Sequence, residues 1–421
     1  MPTPASPIDG KRIWDDLMAL AVITDPEKPY TRRSFSPRFL EGRAWLKRRF
    51  EEAGLTVRLD TGGNLIGRLE GSLADARPVV LGSHSDTVPS GGRFDGPAGI
   101  IAALEVVRAF RDQGYPPRHP IEVVDFLAEE PSEYGVSCVG SRAMAGALDD
   151  AMLEARNAAG ETLAAAIARV GGDPGRLDEA RCQNIAGYLE LHIEQGVVLE
   201  SKGVDLGLVT AIVGIARAEI IFEGAADHAG TTPMELRRDA GLAAARLILD
   251  VAAEAREFAA RGRGHFVATT GILEQQPNAA NVVPGRSRMV FDIRAEDDGL
   301  LQEFLADLDE RSRAVAAAAN VARPGFKLLS RTRPTQCDEG LLGLLQQGAA
   351  RHGLTTMRLA SGAGHDAVFM ARIGPSAMLF IPCLKGRSHT PEEWAEPKDL
   401  EAGTLTLFEA VRELDDQGAS L

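Results

Sequence analysis

The chain has 421 residues, enough for two or three domains, and its 44% hydrophobic and 25% charged content is that of a folded protein. A formal charge of −14 argues against a general nucleic-acid binder, because phosphate backbones attract net positive surfaces. No apolar run is long enough for a membrane span, and MPTPASPIDGKRIW lacks the basic-then-apolar layout of a signal peptide. Cys138, Cys182, Cys337 and Cys383 lie far apart without paired spacing, so free thiols and a cytoplasmic location are expected.

In chain order, helices are expected over roughly 10–22 and 37–54, followed by a strand, turn and strand in LTVRLD, TGG and NLIGRLE. RPVVLGSH is a short apolar strand ending in a polar cluster, and PAGIIAALEVVRAFRDQG repeats apolar residues at near-helical spacing. IEVVDFLAEE, GYLELHIEQG and SAMLFIPC are further apolar strands, each with polar groups at or just beyond its C-terminal end. Apolar strands alternating with helices predict a largely parallel sheet flanked by helices, and such sheets place ligand sites at their C-terminal edge.

The middle of the chain changes character. ARAEIIFEGAA alternates as a half-buried strand, DAGLAAARLILDVAAEAREFAA is an amphipathic helix, and VATTGILEQ, SRMVFDIRA, an acidic helix from near Gly299 and FKLLSRT follow. This β-α-β-β-α-β order predicts a ferredoxin-like α+β module over about 213–332. The remainder, with helices near 339–352 and 398–414, completes a discontinuous α/β domain made of 1–212 and 333–421.

Chemistry concentrates at the strand ends. GSHSDTVPSGGRFDG sets His84 and Asp86 in the same side-chain phase, so that Asp86 is placed to steady a ligating imidazole; Asp95 follows in a glycine-dense turn. Glu129 and Glu130 would repel one another in a dry cleft unless a cation intervened. Glu130 as ligand and Glu129 as general base divides their labour sensibly, although an EE pair is also a common charged strand end. His192 and His389 stand at the same edge, each a ligand candidate against the alternative of an ordinary histidine. Three His, a terminal carboxylate and a shared Asp suit Zn²⁺ or Mn²⁺, and two bridged ions would supply an activated water and polarise a carbonyl.

In SRMVFDIRA, Val290, Asp292 and Arg294 share one strand face. Arg294 is able to hold a carboxylate bidentately, with Asn281 an amide donor nearby in sequence; a surface pair of Arg294 with Asp292 is the competing reading. His228, in GAADHAGTTP, is an unmetallated imidazole able to donate to an oxyanion.

Taken together, GSHSDTVPSGGRFDG, FLAEEPSEYG, ELHIEQG, DHAGTTPMELRRD, NAANVVPGRSRMVFDIR, SGAGHD and RSHTPEEW resemble the hydantoinase/carbamoylase branch of the aminoacylase-type dinuclear metallopeptidases. The resemblance implies two divalent ions per subunit, Zn²⁺ or one of Mn²⁺, Co²⁺ and Ni²⁺. His84, Asp95 and His192 would hold one ion and Asp95, Glu130 and His389 the other, with Asp95 bridging. It implies that Glu129 is the catalytic base, with Asp86 supporting the site beside His84. Gln195, Asn281 and Arg294 would bind the substrate carboxylate, and His228 would reach the active site of the other subunit in a homodimer formed through the inserted module. The activity implied is hydrolysis of an N-carbamoyl-L-amino acid to the amino acid, CO₂ and ammonia. Allantoate and N-carbamoyl-β-alanine are close alternatives, and peptides or N-acyl amino acids distant ones.

Overall fold

The structure, a computed structural model, describes residues 6–417. Their contacts group the described residues into two compact units, one of 6–210, 337–358 and 365–417, the other of 211–336 and 359–364.

The first unit is built on four apolar strands, Val79–His84, Ile121–Phe126, Gly187–Ile193 and Ser376–Ile381, buried along their whole length. They are parallel, with Val79–His84 between Ile121–Phe126 and Gly187–Ile193, and Ser376–Ile381 beyond the latter. Strands buried on both faces need no polar alternation, which explains the near-continuous Val, Ile and Leu. Antiparallel strands extend the sheet, Leu65–Leu69 and Thr56–Leu59 on one side and Leu206–Ile212 on the other. The helix Pro97–Asp112 packs on the central strands, and Gly10–Ala21 and Pro397–Gln417 pack against that helix. Pro97 opens it at a position where a missing N–H costs no helical bond.

From Val79–His84 the chain moves outward to Ile121–Phe126, then returns to the opposite side for Gly187–Ile193. The strand order therefore reverses between His84 and His192, the crevice where open α/β sheets accept ligands.

The second unit is a separate antiparallel sheet in the order Phe326–Arg331, Gly214–Glu223, Arg286–Ala295, Phe266–Gln276. Helices Ala240–Ala260 and Asp298–Ala318 pack on it over a core including Phe222, Phe258, Phe291 and Phe304. Asp239 and Asp297 cap these helices by accepting the amides of Leu242 and Leu300. The β-α-β-β-α-β order is the one anticipated.

The strands Leu206–Ile212 and Thr356–Ser361 were not anticipated. LGLVTAIVG runs without alternation into the next strand, so periodicity alone does not separate the two. The segment 359–364 joins the second unit through the Val213 amide on the Ser361 carbonyl and an Arg294 guanidinium bond to the Gly362 carbonyl.

Candidate metal centre

Asp95 is the hub of the site. Its Oδ1 lies 3.2 Å from His192 Nε2 and 3.7 Å from His84 Nε2, while its Oδ2 lies 3.2 Å from His389 Nε2. Glu130 Oε1 is in turn 3.3 Å from His389 Nε2. One carboxylate thus faces two groups of ligand atoms, His84–Asp95–His192 and Asp95–Glu130–His389.

The backbone accounts for this convergence. His84 Nδ1 meets the Asp86 carbonyl at 3.0 Å, and His192 Nδ1 meets the Ile193 carbonyl at 2.9 Å. A carbonyl only accepts, so each Nδ1 carries the proton and each Nε2 presents its lone pair inward. Gly96, at φ 81°, allows the turn to close over His84, because a Cβ there would lie 2.5 Å from the imidazole ring. Arg32 donates to the Ser85 carbonyl, and Asp125 accepts the Ser85 amide at 2.8 Å while pairing with buried Arg43. These bonds fix the segment between His84 and Asp86.

The donor set calls for cations. Asp86, Asp95, Glu129 and Glu130 are all buried around His84. Burial, reinforced by Glu130 and Asp125, pushes the Asp86 carboxyl up to about 7, against the pull of His84. Burial likewise raises Glu129 well above the usual range, with Glu130 and Asp366 adding to it and His84 opposing. His389 is driven up to about 10 by its bonds to Asp95 and Glu130. His192 Nε2 is buried without a hydrogen-bond partner. Donor separations of 3.2–3.7 Å also match the edges of a tetrahedron around an ion held at the usual ligand distances, roughly 3.3–3.6 Å. The residues fit divalent ions.

Glu129 Oε2 stands 3.6 Å from His84 Nε2, beside the first group of ligands. Asp86 departs from its expected contact. Its carbonyl, not its carboxylate, makes the close bond to His84; the carboxylate lies 3.6 Å from Nδ1 and accepts the amides of Glu129 and Glu130 at 3.3 Å each. It ties the His84 loop to the glutamate loop. Gln195, expected to bind substrate, donates its amide to Asp95 Oδ2 at 2.7 Å, and its Oε1 is buried without a partner.

Within the second unit, Arg294 donates to Asp292 Oδ1 at 2.7 Å and to the Gly362 carbonyl at 2.5 Å, so the ion pair of the competing reading is formed. His228 Nδ1 accepts the Gly230 amide at 3.1 Å, which leaves the ring proton on Nε2 as an outward donor. His228 and Val282 bridge, and the Asn281 carbonyl accepts the Ala229 amide, so His228 and Asn281 are neighbours. They lie beyond the Glu223–Arg286 end of the sheet, whereas Arg294 pairs with Ile215 at the other end. The run from Arg286 to Arg294 is about 27 Å long, so one chain does not bring Asn281 and Arg294 together.

Several site residues escaped the sequence reading. His365 is buried with its ring edge-on to His192, centroids 4.7 Å apart, and Glu190, His192 and His365 form a further group of potential ligands. His365 sits inside the SGAGHD motif, and Glu190 shares the phase of His192, so both had a signal. Glu393 is fully buried and accepts the amides of Phe94 and Asp95 at 2.8 and 3.0 Å; its only mark was a place in RSHTPEEW.

A bridged set of His, Asp and Glu at the C-terminal edge of a parallel sheet is the site of a metal-dependent hydrolase. Residues 80–413 match the model of peptidase family M20/M25/M40. An N-carbamoyl-L-amino acid amidohydrolase of Geobacillus stearothermophilus is 39% identical, over 97% of this chain and 99% of that one. An allantoate amidohydrolase of Escherichia coli (strain K12) is 36% identical, over 91% and 92%. The crystal structure of a hydantoinase/carbamoylase family amidase from Burkholderia multivorans superposes with a TM-score of 0.88 at 36% identity, covering 97% of this chain and 98% of that one. The chain belongs to peptidase family M20/M25/M40 and, within it, to the hydantoinase/carbamoylase family.

Proposed function

We propose that the protein hydrolyses N-carbamoyl-L-amino acids to the amino acid, CO₂ and ammonia. The observation that carries the reaction class is Asp95, whose two oxygens face two separate ligand groups. The choice of a ureido substrate rests on full-length similarity to the Geobacillus enzyme.

His84, Asp95 and His192 would hold one divalent ion and Asp95, Glu130 and His389 the other. When bound, the pair lowers the pKa of a water and polarises the ureido carbonyl. Glu129 takes the proton lost as water adds to the carbonyl carbon, from its place 3.6 Å from His84 Nε2 beside the first group. It returns the proton to the amino-acid nitrogen as the C–N bond breaks. The carbamic acid released separates into CO₂ and ammonia. His228 donates Nε2–H to the developing oxyanion.

The substrate carboxylate falls to Arg294, Asn281 and Gln195. Opposite placement of Arg294 and the His228–Asn281 pair on one sheet favours a homodimer, in which a second copy supplies the pair. In that arrangement Gln195 releases Asp95 when ions bind and turns to substrate. His389, whose side chain is 50% exposed, marks the open side of the site.

Similarity to the E. coli enzyme favours allantoate as the second reading. A substrate panel on the metal-loaded protein separates the two: N-carbamoyl-L- and D-amino acids, N-carbamoyl-β-alanine, allantoate, N-acyl amino acids and dipeptides. The highest kcat/KM is expected for an N-carbamoyl-L-amino acid. Preference for allantoate overturns the substrate, and cleavage of dipeptides alone overturns the ureido class.

A further inference from the structure

Glu393 is a carboxylate with no exposed surface, set against two main-chain amides and a hydroxyl. Its Oε1 accepts the amides of Phe94 and Asp95, which fixes the backbone of the shared ligand. Its Oε2 lies 2.9 Å from Ser388 Oγ, and that hydroxyl is also 2.6 Å from Asp95 Oδ2. The space is made for it, since a Cβ on Gly92 would fall 1.9 Å from Glu393 Oε1. Burying a carboxylate costs several kcal/mol where neutral Gln would meet the same two amides. A carboxylate differs from Gln in offering a second acceptor oxygen, and Oε2 needs a donor.

Ser388 supplies one. A hydroxyl has a single proton, and here two carboxylate oxygens compete for it. If the proton points to Asp95 Oδ2, it occupies a lone pair that an ion in the Asp95–Glu130–His389 group requires. If it points to Glu393, that lone pair is free. We propose that Glu393 is a positioning residue for this second ion: it draws the Ser388 proton away from Asp95 Oδ2 and so leaves Asp95 able to bridge. Gln in its place would reverse the bond, because the amide donates to Ser388 Oγ and commits the hydroxyl proton to Asp95. The inference rests on the two-ion reading above.

Calorimetric titration of chelator-stripped protein with Zn²⁺, and separately with Mn²⁺, tests it on the full-length chain. The unsubstituted protein is expected to bind two ions. Glu393→Gln is expected to keep the first and weaken the second tenfold or more, with a thermal midpoint close to that of the unsubstituted chain. In a Ser388→Ala background, where no proton is contested, adding Glu393→Gln is expected to change second-ion affinity less than threefold. Full-strength binding of both ions by Glu393→Gln overturns the inference, as does an equal loss with and without Ser388. Fewer than two ions on the unsubstituted protein overturns the two-ion reading as well.

Discussion

Asp95, Glu129 and Glu130 are three buried carboxylates to which we assign different tasks, and their neighbours motivate the difference. The His192 and His389 imidazoles beside it outweigh the effect of burial and hold Asp95 well below the usual carboxylate range. Glu129 lacks such a pair, and burial raises it. An acceptor fixed as an anion suits a bridging ligand, whereas a carboxyl that readily takes a proton suits acid–base work. Glu129→Gln preserves shape and both ligand groups. It is expected to keep full metal stoichiometry while turnover falls about 10²- to 10⁴-fold, checked by metal analysis beside steady-state kinetics. Turnover within tenfold of the unsubstituted protein would remove Glu129 from that role.

At the scale of elements, the site depends on how strand ends are braced. Arg43, on the helix Pro37–Glu52, reaches Asp125 at the end of Ile121–Phe126, and Asp125 holds the Ser85 amide and hydroxyl. Both partners of this ion pair are buried. Asp125→Ala would strand a guanidinium and an amide inside the protein, so a loss of about 3–5 kcal/mol is expected in urea unfolding. Arg38→Ala, which removes an exposed pair with Glu41, should cost less than about 1 kcal/mol. Similar losses in the two variants would contradict the bracing role.

The clustering of the candidate ligands was legible because each lies at or after the end of an apolar strand or sits in a glycine-marked turn, and both features are local. Their supports were not. Arg43 and Asp125 lie 82 residues apart, and the Asp95 amide and Glu393 lie 298 apart; no periodicity connects such pairs. The Asp86 contact was misjudged for another reason. Phase along a strand places its carboxylate near His84, but only the turn after His84 brings the Asp86 carbonyl closer.

For the whole molecule, the small antiparallel sheet poses the main question, since its two ends carry different substrate-binding candidates. A complementation test addresses it. Arg294→Ala and His228→Ala should each be nearly inactive alone. Mixed by co-expression, they should recover about a quarter of full activity, because each heterodimer regains one intact site. No recovery would mean that both residues serve the same chain's site, or that no dimer forms. The inserted module was legible from its alternating strands and two amphipathic helices. The allegiance of 359–364 was not, because it depends on Arg294 and Val213 reaching carbonyls remote in sequence.

The most direct measurement is ammonia release from an N-carbamoyl-L-amino acid while chelator-stripped protein is titrated with Zn²⁺ or Mn²⁺. Stripped protein is expected to release none, and activity should rise until about two ions per chain are bound and then level off. Release that is indifferent to the chelator, or no release from any ureido substrate at saturating metal, would contradict the account.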